Sequence, residues 1–213
     1  MVIEDNVYEG MTFDEYLGQP LPKIINEEGM YDRTVSVYSA GKIFAATGLR
    51  SGWAIGSTKI IQSVRSVHQY NVFCYYNVLE NAVTESLNVI NSGDTYLPDY
   101  ARKCEGLRTK VVQALLGSKY DIDLWVPKGS NFVIVDISRC EVKEKYCVDE
   151  NGKKRARDYA FTLQMLYEDG VSVIPCSPFY DENNQNRERY IRVTFCKDAS
   201  IIEEAGRKLA KTD

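Results

Sequence analysis

Lys42 closes the run Ser39-Ala40-Gly41-Lys42, and Arg50 follows eight residues later between Gly48 and Gly52. Small residues beside the lysine leave room for a flat ligand to approach the backbone, and Gly41 can take up angles closed to other residues. An amine held in a packed, partly dry pocket has its pKa lowered and becomes a nucleophile towards carbonyls. A nearby guanidinium suits a phosphate, because its planar fork gives two parallel hydrogen bonds. Carbonyl and phosphate on one flat molecule point to pyridoxal phosphate (PLP).

Other residues with chemical potential are fewer. Asp5 and Tyr8 close a short apolar run at the start of the chain, and functional groups gather at strand ends in open α/β sheets. Arg192 lies within the β-branched run Tyr190–Phe195, where a buried guanidinium needs a partner. In isolation Asp5 and Tyr8 read more readily as surface-loop residues, and the alternative for Arg192 is an outward-facing strand arginine. His68 is the single histidine, and the six cysteines lack both a CxxC pair and any zinc-like Cys/His spacing. In a chain of 213 residues they read as reduced thiols rather than a disulfide framework, since a core of this size needs no staples. No metal site is expected.

Composition narrows the class. The chain is 44% hydrophobic and 26% charged, with a formal net charge of −4 and no basic block, which argues against nucleic acid as a partner. The cluster Lys153-Lys154-Arg155-Arg157 is flanked by acids and reads as a solvated surface. No run reaches the length of a membrane helix, and the first residues lack the pattern of a signal or transit peptide. An intracellular setting, cytoplasmic or mitochondrial, is expected.

The elements that must position these groups follow from periodicity. Met1–Glu9 opens on a short apolar run that ends in acids, as a buried parallel strand does; Thr34–Val37 reads as a second strand and Ser39–Lys42 as a tight turn. Residues 10–33, rich in glycine, proline and charge, read as loop with at most a short turn of helix. Ala54–Ser57 is a brief strand, with Ser57 placed to cap a helix that carries Ile60, Ile61, Val64 and Val67 at helical spacing. Helices follow over about 76–89 and 98–116, the second ending at Gly117. Beyond it come strands at Phe132–Ile137, Val171–Ile174 and Tyr190–Phe195, with helices at Tyr159–Glu168 and from Asp198 to about Leu209. Strands and helices alternate up to the long helix, and an α+β segment follows.

The run Ser39-x-Gly41-Lys42-x-Phe44-x-x-Thr47-Gly48-Leu49-Arg50-x-Gly52-Trp53 resembles the lysine signature of class I/II aminotransferases of PLP fold type I. The likeness continues through Val67-His68-Gln69, Phe132–Ile137, Val173-Ile174-Pro175 and Tyr190–Val193. It is strongest with the kynurenine aminotransferase and cysteine-S-conjugate β-lyase branch. The resemblance implies an α/β fold: the later part of a PLP-binding large domain over residues 1–97, then a C-terminal small domain over 98–213. It implies that Lys42 holds PLP as a Schiff base and moves the substrate α-proton. It further implies that Asp5 pairs with the pyridine nitrogen, Tyr8 bonds the ring hydroxyl, and Ser39 and Arg50 bind the phosphate. Arg192 matches the clamp for the substrate carboxylate, and Phe73 an aromatic position near a partner subunit's pocket. The next position, often histidine in that branch, is Cys74 here.

The implied activity is transfer of an amino group from an aromatic or sulfur amino acid, kynurenine-like, to a 2-oxo acid, in a homodimer or with a complementary chain. The resemblance also places the opening strand near the middle of the family's polypeptide. On that reading the glycine-rich phosphate loop, the ring-stacking aromatic, the hydroxyl-binding asparagine and the N-terminal arm have no counterpart here. A second reading is therefore a non-catalytic relative kept as a structural or interaction module. Retention of Lys42, Asp5, Tyr8, Arg50 and Arg192 together favours the enzyme.

Overall fold

The computed structural model describes residues 1–74 and 76–211. They divide into two compact units: Met1–Arg102 with Lys128–Ser130, and Lys103–Pro127 with the chain from Asn131 on.

The first unit is built on strands β1 (Val2–Asp5), β2 (Thr34–Ser39) and β3 (Gly52–Gly56), in the order β1-β2-β3. β1 runs parallel to β2, with Asp5 opposite Val37, and β3 runs antiparallel, with Gly52 opposite Ser39. β-Branched Thr34 and Val35 favour an extended backbone and are buried in the middle strand. β1 departs from the buried strand expected of it. It pairs on one side only, and side chains alternate across a strand, so Glu4 turns inward while Ile3 stays 68% exposed. Burial alone would raise the Glu4 carboxyl. Hydrogen bonds donated by the Ser36 hydroxyl and the Ile24 N–H outweigh it and hold the group below the ordinary carboxylate range.

The loop between β1 and β2 contains three single 3-10 turns and packs Met11 and Phe13 into the core. Helix α1 (Ala40–Ile43) is one turn long and takes the place of the predicted tight turn. Helices α2 (Thr58–Asn71), α3 (Asn77–Asn91) and α4 (Tyr96–Leu116) follow. Ser57 precedes α2 without making the predicted side-chain cap, and the apolar stripe of α2 buries none of its residues. The division between the units falls inside α4, which stops at Gly117 as its sequence predicts.

The second unit holds β4 (Asp123–Trp125), β5 (Phe132–Asp136), β6 (Ile174–Pro175) and β7 (Tyr190–Thr194), ordered β4-β5-β7-β6 with every neighbour antiparallel. Val133, Val135 and Ile191 alternate into its core beside Phe161, Met165 and Phe195. Helix α5 (Glu144–Cys147) precedes α6 (Arg157–Gln164), which runs into a π turn at Met165–Asp169. In α7 (Ala199–Leu209), Gly206 permits a close approach to α4, since a Cβ there would stand 3.1 Å from that of Ala114. The strand predicted over Val171–Ile174 is reduced to Ile174–Pro175. Gly170 ends the π turn at a φ of +66°, and the N–H groups of Gly170 and Val171 bond back to Leu166 and Met165 at 3.1 and 3.2 Å. This double cap holds the chain to the helix before it can join the sheet. Among the described residues, no helix is long and apolar enough to cross a membrane, and no group of His, Cys, Asp and Glu could hold a metal ion.

Candidate active site

In the first unit the sheet topology collects the chemistry-bearing residues. β1 and β2 run parallel, so Asp5 and Ser39 both lie at their carboxyl ends; β3 runs the other way, so Gly52 and the preceding Arg50 come to the same end. Ser39 occupies the position before α1, and Lys42 sits in the last part of that single turn. Tyr8 follows β1 in a turn closed by the Glu9 N–H to Asn6 and the Met11 N–H to Tyr8, at 3.1 and 3.0 Å. Three strand ends and their adjoining turns thus bring together residues from Asp5 to Arg50.

Lys42 is half-buried, its Nζ 5.7 Å from the centre of the Tyr8 ring, and it makes no ion pair among the described residues. The negative face of an aromatic ring attracts a cation while leaving its N–H donors open. The α1 turn is pinned from two sides. Thr47 Oγ1 donates to the Gly41 carbonyl at 3.0 Å, and the Tyr96 hydroxyl donates to the Ile43 carbonyl at 3.2 Å. Gly41 is required by that packing, because a Cβ there would lie 3.0 Å from Thr47 Cα and 3.3 Å from Ser39 Oγ.

Asp5 is exposed and accepts a hydrogen bond from the Val7 N–H at 3.2 Å, leaving acceptor capacity on the carboxylate. Arg50 is exposed in the left-handed region, φ 53°, and its Nη1 donates to the Thr47 carbonyl at 3.4 Å. A non-glycine residue held at positive φ is strained and is sustained only by its surroundings. The groups at this end are an amine, a carboxylate, a phenol, a hydroxyl and a guanidinium that makes no ion pair among the described residues, beside the glycine of the lysine turn. That set fits a flat aldehyde carrying a phosphate and a ring nitrogen.

In the second unit Arg192 crosses the sheet between Ile134 on β5 and Ile174 on β6. Its guanidinium lies 5.0 Å from the ring centres of both Phe132 and Phe179 and makes no ion pair among the described residues. Both rings attract its charge without taking up its N–H donors, and its planar fork suits an anion. Phe73, just past α2, is 85% exposed at a φ of +66° and lines a polar hollow with Gln62, Arg65 and Gln69.

Thr47 and Tyr96 were not visible as supports of the lysine turn from sequence. Thr47 sits within the motif without a local pattern that reveals its bond, and Tyr96 lies 53 residues from Ile43. The stack of Tyr38 on Trp53, 5.4 Å between ring centres and 6° from parallel, could have been found only from the β2–β3 register.

The family described as aminotransferase class I and II matches residues 1–209. The chain is 32% identical to the kynurenine–oxoglutarate transaminase of Dictyostelium discoideum, over 99% of this chain and 48% of that one. It is 31% identical to human kynurenine–oxoglutarate transaminase 1, over 98% and 49%. Among solved structures it superposes on Bna3p from Saccharomyces cerevisiae with a TM-score of 0.83 at 26% identity, over 97% of this chain and 48% of that one. The chain therefore spans about half the length of the curated relatives it matches. The fold class is that of fold type I, mixed helix and sheet, as the sequence predicts.

Proposed function

The chain belongs to the class I and II aminotransferases, a family that is in general PLP-dependent, and on that premise we propose that it serves transfer of an amino group from an aromatic or sulfur amino acid to a 2-oxo acid. The observation that carries this reading is Lys42, unpaired over the Tyr8 ring at the strand end it shares with Asp5, Ser39 and Arg50. A kynurenine-like donor is supported by the likeness to kynurenine–oxoglutarate transaminases.

PLP, when bound, supplies an electron sink for the bond broken at the substrate's α-carbon. Lys42 would hold it covalently through Nζ and, once displaced, carry the proton to and from that α-carbon. The Asp5 carboxylate would keep a proton on the ring nitrogen, and the Tyr8 hydroxyl would bond the ring oxygen. Ser39 Oγ and the Arg50 fork would bind the phosphate. Arg192, beside the rings of Phe132 and Phe179, would grip the substrate α-carboxylate with two parallel bonds. Phe73 would meet a partner subunit's pocket, in a homodimer or with a complementary chain.

The test is borohydride reduction of the purified chain with PLP, followed by peptide mass spectrometry. The expected result is a pyridoxyl adduct confined to Lys42 and lost in Lys42→Ala with unchanged circular dichroism. Labelling scattered over surface lysines, or none at Lys42, would overturn the reading. Assays with kynurenine and other aromatic donors follow a positive result.

A further inference from the structure

Asp158 is a buried carboxyl group that the proposed reaction does not use. It lies at the start of α6, closed off from water, and makes no ion pair among the described residues. Burying such a group is costly unless its oxygens accept hydrogen bonds. Here one oxygen accepts the Tyr159 N–H at 2.9 Å and the other accepts the Ser177 N–H at 2.6 Å. The second bond ties α6 to a single 3-10 turn, Ser177–Phe179. The preceding Cys176 N–H donates to the Tyr190 carbonyl of β7 at 3.1 Å, and the Phe179 N–H closes the turn on the Cys176 carbonyl at 2.9 Å. Three bonds therefore hold the turn to a helix, to a strand and to itself.

The residue this turn delivers is Phe179, 63% exposed, with its ring centre 5.0 Å from the Arg192 guanidinium. Phe132 lies at the same distance but is half-buried within β5, so Phe179 presents the more open ring. Trp125, Ile134, Arg192 and Ile174 are paired in one row across the sheet, and residues paired in this way share a face. Trp125 and Ile174 are exposed. A carboxylate on Arg192 would carry its remaining atoms onto apolar ground, with the Phe179 ring beside it.

We propose that Phe179 is a specificity-determining residue of the proposed reaction, selecting donors whose carboxylate, once on Arg192, brings a flat apolar side chain against its ring. This rests on the reading of Arg192 as the carboxylate clamp. Offset or edge-to-face contact between two rings favours an aromatic side chain beyond the area it buries. A turn already held by three bonds loses little further freedom when the ligand arrives, so more of that contact remains as affinity.

The probes are 3-phenylpropionate and propionate, which share a carboxylate and differ by one ring. Each is titrated into the isotope-labelled full chain and followed by NMR at the Arg192 Nε–H and the Val193 amide. Neither carries an amine, so their binding requires neither Lys42 nor PLP. Saturable shifts are expected, with 3-phenylpropionate the tighter ligand. Its preference over propionate should fall about fivefold in Phe179→Ala with unchanged circular dichroism, the scale of one ring–ring contact. Phe179→Tyr, which keeps the ring, should retain the preference, and Arg192→Gln should weaken both acids. An unchanged preference in Phe179→Ala, or its equal loss in Phe179→Tyr, would overturn the selection by Phe179 while leaving the clamp in place. So would equal weakening of both acids in Phe179→Ala, which would mean that the ring only steadies Arg192. Undiminished binding in Arg192→Gln, or no shift at these positions with either acid, would overturn the clamp and this inference with it.

Discussion

At the scale of single residues, the cations differ in whether a carboxylate partners them. Arg189 donates from Nε to the buried Asp136 carboxylate at 2.7 Å, and the Ser138 N–H adds a bond at 2.8 Å. Burial alone would raise the Asp136 carboxyl; the guanidinium and the N–H outweigh it and hold the group below the ordinary carboxylate range. A depressed pKa in the folded state means stability that is fully present above the unfolded value, about 3.9, and lost as pH falls through the lower folded one. Resistance to urea should therefore fall as the pH is lowered from 6 to 3. In Asp136→Asn this loss should shrink, with a cost of about 1–2 kcal/mol at pH 7. An identical pH dependence in the variant would show that the pair does not carry it. Lys42, Arg50 and Arg192 form no such pairs among the described residues, which leaves their charges open to a ligand.

At the scale of elements, the lysine turn is placed by strand contact. Gly52 lies opposite Ser39, and a Cβ there would come 2.4 Å from the Tyr38 carbonyl oxygen, a backbone atom that cannot yield without parting β2 from β3. Gly52→Ala should cost about 1–3 kcal/mol, the range for forced overpacking, and increase hydrogen exchange along β2 and β3. Gly48→Ala, where an added Cβ meets nothing within 4 Å, should be nearly neutral. Equal effects from the two substitutions would remove the steric argument. The sequence marks both glycines in the same way. Which one meets backbone depends on pairing register, and no local pattern in residues 48–52 carries that. Ser57 shows the same limit: its type and place before α2 suit a cap, but its side chain makes no capping bond.

At the scale of the whole molecule, two units carry unequal cores. The second buries Val133, Val135, Ile137, Phe161, Met165, Ile191 and Phe195. The first relies on a smaller set around Met11, Phe13, Val35 and Ile43, and its helix α2 buries none of its residues. Each buried methylene contributes about 0.8 kcal/mol, so the first unit should be the less stable. Trp53 lies in β3 and Trp125 in β4, one in each unit. Urea unfolding followed by Trp53 fluorescence in Trp125→Phe should show a lower midpoint than Trp125 fluorescence in Trp53→Phe. Coincident transitions would mean one cooperative molecule.

The sequence by itself determined the family, the fold class and most strands and helices. The lysine motif spans only fifteen residues, and β-branched runs and helical stripes declare themselves locally. Tertiary structure alone decided the rest. It made β1 a half-exposed edge, cut the strand at Val171–Ile174 to two residues, and set Tyr96 against a turn far back in the chain. It also set Arg192 beside the rings of Phe132 and Phe179. These outcomes depend on which strand lies beside which and where a helix cap releases the chain. Contacts between residues distant in sequence settle both, and such contacts leave no periodic trace in either partner.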